Sequence, residues 1–539
     1  MPDFTIFRLH DHAADFDSFV DLGDKPDLIQ LGPVDRDTFT AKLYVTEPHP
    51  HEPAWTAFLK SGFQNAAGWW QSSSVSALLI VHAVKEGTAS NFALAFGPAG
   101  RHLLKENCYR RRYGLITALN IISDSDLPPR LRALDTARHS DRILRSRLQT
   151  TGPSGVEAFE LDLLRDLVRH ATGEAVDTKR WGLRVGGSDA LRVAKDLDFD
   201  DLGAFCLDVD TVFSKTTYKA RFDWIDHVTP IEDDTTVTAL EKTLVSVLKE
   251  GGQELKLLQM APPEVVDWDR LQKFTYHSES RAKVRRPDVS LDHYLKTLSD
   301  TDLSELDAEF LHRRHIKGFD SEDNEIAKWS VWRCLTGEIE HEKSTYVLDD
   351  GSFYQVEKNF LAKLNSDIAQ HEREGALLPP AKLGQWEADY NKEVADKDKS
   401  FLCLDAKEVP FEGARGGIEL CDLLTRQKQL IHVKRYTSSA TLSHLFNQAR
   451  TSAELLTNGA FRGAAKKHIA ERDPEGHFAV FEPETIDPRE FEVVIAIVKR
   501  WDGLNLAALP FFAKMNFRRV LTDISGRLFR VSIVPVSIE

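Results

Sequence analysis

The stretch Gly417–Tyr436, GIELCDLLTRQKQLIHVKRY, reads as two short apolar strands joined by the polar turn TRQK. Ionisable residues stand in it where a core strand would carry aliphatic ones: Glu419 and Asp422 in the first strand, His432 and Lys434 in the second. Side chains alternate along a strand, so His432 and Lys434 share a face. Glu419 and Asp422 fall on opposite faces of a regular strand and can meet only near a bulge or a strand end.

Outward from this stretch, WEADYNKEVA (386–395) has helical spacing and FLCLD (401–405) reads as a short buried strand. Downstream, SATLSHLFNQARTSAELL (439–456) places Leu442, Leu445, Ala449, Ala453 and Leu456 on one helical face. FEVVIAIV (491–498) is an apolar strand, PFFAKMNFRRVLTDI (510–524) a helix and RLFRVSIVPV (527–536) a last strand. The expected order is α-β-β-β-α-β with an appended α-β.

That order, with GIELCDLL…LIHVKRY inside it, resembles the PD-(D/E)xK superfamily of restriction-endonuclease-like nucleases, most closely its Mrr-like branch. The resemblance covers the C-terminal third. Glu419 stands where the branch has Asp, His432 where it has Gln or Glu, and Lys434 at the lysine of the motif. It implies Mg²⁺ or Mn²⁺ held by Glu419, Asp422, His432 and the carbonyl of Val433. Glu387, on one helical face with Tyr390, Asn391 and Val394, would restore the oxygen ligand that His432 lacks. Gln448 matches a glutamine beside the lysine, and Ser443 and His444 are candidate phosphate contacts. Spacing to His432 favours Glu419 as the principal acid, whereas Asp422 suits a branch with a shorter hairpin, and both stay candidates.

The chemistry fits these residue types. Phosphodiester hydrolysis needs a hard cation to polarise the phosphate and acidify a water, and magnesium takes oxygen ligands. An ammonium such as that of Lys434 offsets charge developing on the phosphorus centre. Imidazole is a poorer magnesium ligand than carboxylate, so His432 points to manganese or to a degenerate site that binds without cutting. Taken singly, each residue reads as an ordinary strand or helix-face residue; the signal is their coincidence in one order.

The whole chain, at 539 residues, exceeds one ordinary core, so an α+β multidomain protein is expected. Residues 1–100 read as a mixed sheet (TIFRL, AKLYVT, SALLIVHAV, NFALAF), and 101–299 as a helix-rich α+β region for recognition or regulation. The helical segments there are HLLKENCYRRRYGLITALNII, ELDLLRDLVRHATG and TVTALEKTLVSVLKEG. Residues 300–375 read as a small strand-rich linking module, KWSVWRCL and STYVLDDGSFYQV, the latter closed by an Asp-Gly turn. The nuclease-like domain takes 376–539. RVGGSDAL (184–191) reads as a turn and helix cap rather than a cofactor loop.

A hydrophobic share of 42% with 28% charged residues is that of a globular chain. No run approaches the ~18 apolar residues of a membrane span, and no basic leader precedes an apolar run, so a cytoplasmic protein without a membrane partner is expected. Five scattered cysteines suggest no disulfide framework or zinc knuckle, and Cys403 and Cys421 read as inert and buried. The net charge of −15 works against long-range steering toward a polyanion. The basic clusters at 110–112, 281–286, 434–435 and 462–467 read first as solvated surface.

Nearly end to end, the chain resembles a sporadically distributed bacterial family without a settled function. The resembling segments are GPAGRHLLKENCYRRRYGLITALN, QTTGPSGVEAFELDLLRDLVRHATG, YKARFDWID, YVLDDGSFYQV, WEADYN and IELCDLL…HVKRY…SHLFNQ. The expected function is a metal-dependent nuclease acting on DNA, or else RNA, in bacterial defence, working as a homo-oligomer or with an activating partner. The alternatives are a degenerate nucleic-acid-binding scaffold and a toxin-like effector triggered by a ligand or phage protein.

Overall fold

The computed structural model describes residues 3–11, 15–22, 28–48, 72–85, 88–105, 108–124, 129–139, 143–159, 166–280, 284–373, 377–405, 408–409, 418–436, 439–481, 485–501 and 506–539, with a few single positions between 50 and 62 and at 161. The chain is α+β, arranged around three main sheets. No helix among the described residues is long and apolar enough to cross a membrane.

The first unit is built on one ten-stranded sheet, in the order Leu28–Arg36, Phe39–Thr46, Ala77–Lys85, Thr88–Phe96, Asp3–Arg8, Leu191–Ala194, Arg184–Gly187, Asp166–Glu174, Leu131–His139, Ile143–Ser154. Asp3–Arg8 joins its halves, pairing with Thr88–Phe96 on one side and Leu191–Ala194 on the other. The sheet therefore does not divide at residue 100, and much of 101–194 is strand where a helix-rich region was expected. ELDLLRDLVRHATG is corrected over Asp166–Glu174, which pairs with Leu131–His139 and Arg184–Gly187. Its register skips Arg169 between the pairs Thr136↔Val168 and Asp135↔His170, a bulge that disguises the alternation of a strand.

The helix Tyr113–Ile122 covers this sheet, nine of its ten residues buried. Its first turn lies against the hairpin 184–194, where a Cβ on Gly114 would come within 2.0 Å of the Ala190 backbone and one on Gly187 within 1.9 Å of the Gly114 carbonyl. Only glycine permits that approach. RVGGSDAL is the hairpin turn, as its turn reading expects, although the helix that Asp189 caps is the distant one, through the N–H of Arg112.

In the middle unit a five-stranded sheet runs Val228–Pro230, Ser352–Val356, Ser344–Asp349, Leu335–His341, Leu258–Met260. It is not confined to 300–375, because both edge strands come from before residue 300. The Asp-Gly turn forms as expected, with Asp350 and Gly351 both at positive φ, 48° and 73°. KWSVWRCL is only partly strand: Glu325–Ser330 is followed by the short helix Val331–Cys334. The helix Lys358–Ala369 belongs physically with the last unit, setting Phe360 edge-to-face against Phe511 and pairing Asp367 with Arg518.

The third unit has the sheet order Phe401–Cys403, Leu423–Thr425, Gln429–Arg435, Glu492–Lys499, Arg530–Ser537. The first two pairings are antiparallel and the last two parallel. Glu492–Lys499 is buried on both faces, as a central parallel strand requires. Helices Ser439–Leu456 and Phe511–Gly526 pack on one face through Leu442, Phe446, Ala449, Phe517 and Ile524, while Glu387–Lys397 covers the other with Tyr390 and Val394. An additional helix, Gly459–Ala470, contains the basic run 462–467.

Glu338 ties the middle unit to the third: its two carboxylate oxygens accept the N–H groups of Phe511 and Phe512, each at 2.6 Å, at a helix N-terminus. Burial pushes its carboxyl up to about 7, opposed by those N–H groups and Lys514 and assisted by Glu340. The native state thus keeps a proton that the unfolded chain has already lost, and this group's contribution falls as pH rises from the ordinary carboxylate range to about 7. Chemical denaturation should show Glu338→Gln flattening the pH dependence in that window, where the wild type loses on the order of 3 kcal/mol. An unchanged slope would remove Glu338 as its source.

Candidate functional site

The chain leaves the strand Ile418–Glu419, which pairs with Glu408–Val409 in a separate ribbon, and enters Leu423–Thr425 of the main sheet only after a bend at residues 420–422. The bend is held on three sides. Ser452 Oγ donates to the Leu420 carbonyl at 2.5 Å, Asp422 N donates to Ile431 O at 3.0 Å, and Leu404 N donates to Asp422 O at 2.8 Å. Breaking the strand here lifts the alternation that would separate Glu419 from Asp422.

Asp405, Glu419 and Asp422 consequently offer carboxylate oxygens that all lie within 4.8 Å of one another. Asp405 was given no role in the sequence reading. Its one signal is an acid directly ending the apolar strand FLCLD, on the sheet edge next to Leu423–Thr425. Asp422 is buried and accepts the Val433 N–H through Oδ2 at 2.7 Å. Burial drives its carboxyl well above the usual range; that N–H opposes the rise, while Glu419, Asp405 and Glu387 add to it.

Lys434 Nζ donates to Glu387 Oε1 at 2.7 Å, and the second Glu387 oxygen accepts the Arg435 N–H at 3.1 Å. Glu387 thus sits beside the lysine and outside the close carboxylate trio. Burial alone would lower Lys434, but Glu387, with Asp422 and Glu419 beyond it, holds the ammonium above its ordinary value. Gln448 Nε2 donates to Glu419 Oε2 at 2.8 Å, so the helix Ser439–Leu456 orients this acid directly. His444 is exposed, and the side chain of Ser443 lies outside the described residues.

His432 is 1% exposed and its Nε2 has no hydrogen-bond partner among the described residues. Burial pushes it down to about 4, which keeps the imidazole neutral. It is not among the three residues whose ligand atoms cluster. Asn391, fully buried beneath Glu387 on the same helix, also leaves both amide atoms without a described partner. Val433 meets the site through its N–H to Asp422. Burial raises the thiols of Cys403 and Cys421, as inert packed cysteines require.

Three clustered carboxylates, one of them buried, form a high-field oxygen site of the kind hard divalent cations occupy. The match to a family of unknown function, DUF6119, extends over residues 4–537, and the chain belongs to that family. No curated protein and no solved structure matches it.

A cation entering this site must displace the proton that Asp422 retains, so Mn²⁺ affinity is expected to rise with pH until Asp422 titrates. Calorimetry in buffers of different ionisation enthalpy should register proton release. Asp422→Asn should lose both the release and about tenfold or more in affinity. Affinity independent of pH would exclude Asp422 as a ligand.

Proposed function

We propose that the C-terminal unit is a Mg²⁺- or Mn²⁺-dependent nuclease that hydrolyses phosphodiester bonds of DNA, or else RNA. The observation that carries this reading is the carboxylate trio Asp405, Glu419 and Asp422 set beside the Lys434–Glu387 pair. A sheet of three antiparallel and then parallel strands flanked by helices on both faces supports a restriction-endonuclease-like core. The acids stand at its edge, as the PD-(D/E)xK resemblance expects.

In this reading Asp405, Glu419 and Asp422 hold the ion, which polarises the scissile phosphate when bound. Lys434 supplies positive charge next to the phosphate, fixed in place by Glu387. Gln448 holds the orientation of Glu419, and His432, buried and neutral, shapes the strand beneath. The inherited expectation of His432 as a ligand gives way to Asp405 as the third oxygen donor.

The buried imidazole also favours a second reading, a nucleic-acid-binding scaffold without cleavage, because no carboxylate occupies the motif position of His432. Purified protein with Mn²⁺ should nick or degrade single- or double-stranded DNA or RNA. Lys434→Ala should lower the rate by roughly a hundredfold or more with an unchanged unfolding profile. Metal binding without cleavage of any of the four substrates would select the scaffold, and equal cleavage by the lysine variant would remove the assigned role of Lys434.

A further inference from the structure

Far along the chain from the acidic site, motifs from the first and middle units converge on a second group of charges. The Asp349–Asp350 tip of the hairpin 344–356 enters among arginines of the first sheet: Arg145 Nη2 donates to Asp349 Oδ1 at 3.0 Å, and Arg169 reaches both aspartates. From the middle unit itself, Arg333 Nε donates to Asp350 at 2.8 Å. Arg111 pairs with Asp189 at 2.8 Å, and Arg101 lies in the field of Tyr109, Asp189 and Asp350. Arg112 donates to the carbonyls of Ile225 and Val228 at 3.1 and 2.5 Å.

Six guanidinium groups, of Arg101, Arg111, Arg112, Arg145, Arg169 and Arg333, therefore surround three carboxylates among the described residues. Asp226, which also faces Arg112, is already paired with Lys219. Guanidinium groups gathered this closely are costly unless anions or water compensate them. Lysines would relieve such crowding by losing protons; arginines stay charged. Arg145 is nine-tenths buried and its Nη1 has no hydrogen-bond partner among the described residues.

These groups are enclosed yet not dry. The side chains of Arg111, Arg169 and Arg333 keep between 13% and 22% of their surface accessible although protein surrounds them, and Arg101 is exposed. These guanidinium groups therefore stay reachable from solvent. Their positions are fixed. Arg111 stacks on Tyr109 and Arg112 on Tyr354, each 4.9 Å from the ring centre. Arg112 holds a left-handed backbone at φ 57°, fixed by its N–H to Asp189, and the bulge at Arg169 turns that residue out of the strand's alternation.

We propose that this arginine cluster binds a small polyanion of the polyphosphate class, free or as the phosphate chain of a nucleotide. Guanidinium forks match phosphate oxygens two at a time, and several guanidinium groups in one place suit a chain of phosphates better than a single carboxylate. Arg101, exposed to solvent, makes the first contact, with Arg333 and Arg111, partly accessible, close by. Arg145 and Arg169, committed to Asp349, position the hairpin tip. The assignment uses no residue of the acidic site and does not depend on its function.

Calorimetric titration of the full-length protein tests this, in EDTA and at ~0.15 M salt so that neither the acidic site nor loose surface attraction contributes. The probes are inorganic tripolyphosphate and ATP. Binding of both with equal affinity identifies the phosphate chain as the ligand, and tighter binding of ATP identifies a nucleotide. Arg101→Gln, at an exposed position, is expected to keep the wild-type melting profile and weaken binding by about tenfold or more, with Arg101→Lys in between. Lys399→Gln, a surface charge elsewhere, should leave affinity unchanged. Absence of binding by either probe at about 1 mM, or a folded Arg101→Gln variant with wild-type affinity, overturns the proposal, as does an equal loss in Lys399→Gln.

Discussion

Repulsion among Asp405, Glu419 and Asp422 is the constraint around which the C-terminal unit is arranged. A carboxylate taken out of water needs a partner of opposite charge, and Asp422 instead has two acids close by and one main-chain N–H, from Val433, in compensation. The ammonium of Lys434 is already held by Glu387. Both groups would be relieved by apolar replacements of similar size, as buried ion pairs often are. The chain goes the other way and interrupts a strand at residues 420–422, pinned by Ser452, so that acids of opposite strand parity meet. The rise of the Asp422 carboxyl above its usual range relieves part of this repulsion.

How much of this was legible in the sequence depends on the range of the interaction. Helix Ser439–Leu456 and the hairpin around Asp350–Gly351 follow from periodicity and turn chemistry within a few residues, and both form where the sequence places them. Glu419, Asp422 and Lys434 stood out as charges in apolar strands, and their neighbourhood was readable for that reason. Asp405 was not, because its closeness to Glu419 arises from the pairing of Phe401–Cys403 with Leu423–Thr425 across a connection of nineteen residues, 404–422. The ten-stranded sheet was hidden in the same way: Asp3–Arg8 finds Leu191–Ala194 far along the chain. At Asp166–Glu174 a single bulged residue, Arg169, was enough to make strand alternation resemble helical spacing.

The two junctions between units differ in their physics. Between the middle and third units the contact is apolar and continuous: Val347, Tyr354, Val356 and Phe360 share a core with Leu424, Leu430 and Phe511. Between the first and middle units it is made of paired arginines and aspartates. The first responds little to salt or ligands, since burial of apolar area is non-directional and unscreened. The second is set by charges whose balance an anion changes directly.

One hairpin spans both junctions. Its tip carries Asp349 and Asp350 into the arginines, while its strands send Tyr346, Leu348 and Phe353 into the core of the middle unit and Val347, Tyr354 and Val356 into that of the third. Tyr354 takes part at both ends, under the Arg112 guanidinium and within the third unit's core. An anion competing with Asp349 and Asp350 for the same guanidinium groups alters the energy of the tip, and a strand pair packed on both faces cannot absorb that change locally. Any coupling between the proposed polyanion site and a cation at the acidic site would be reciprocal: whatever the polyanion does to cation affinity, the cation would do to polyanion affinity by the same factor.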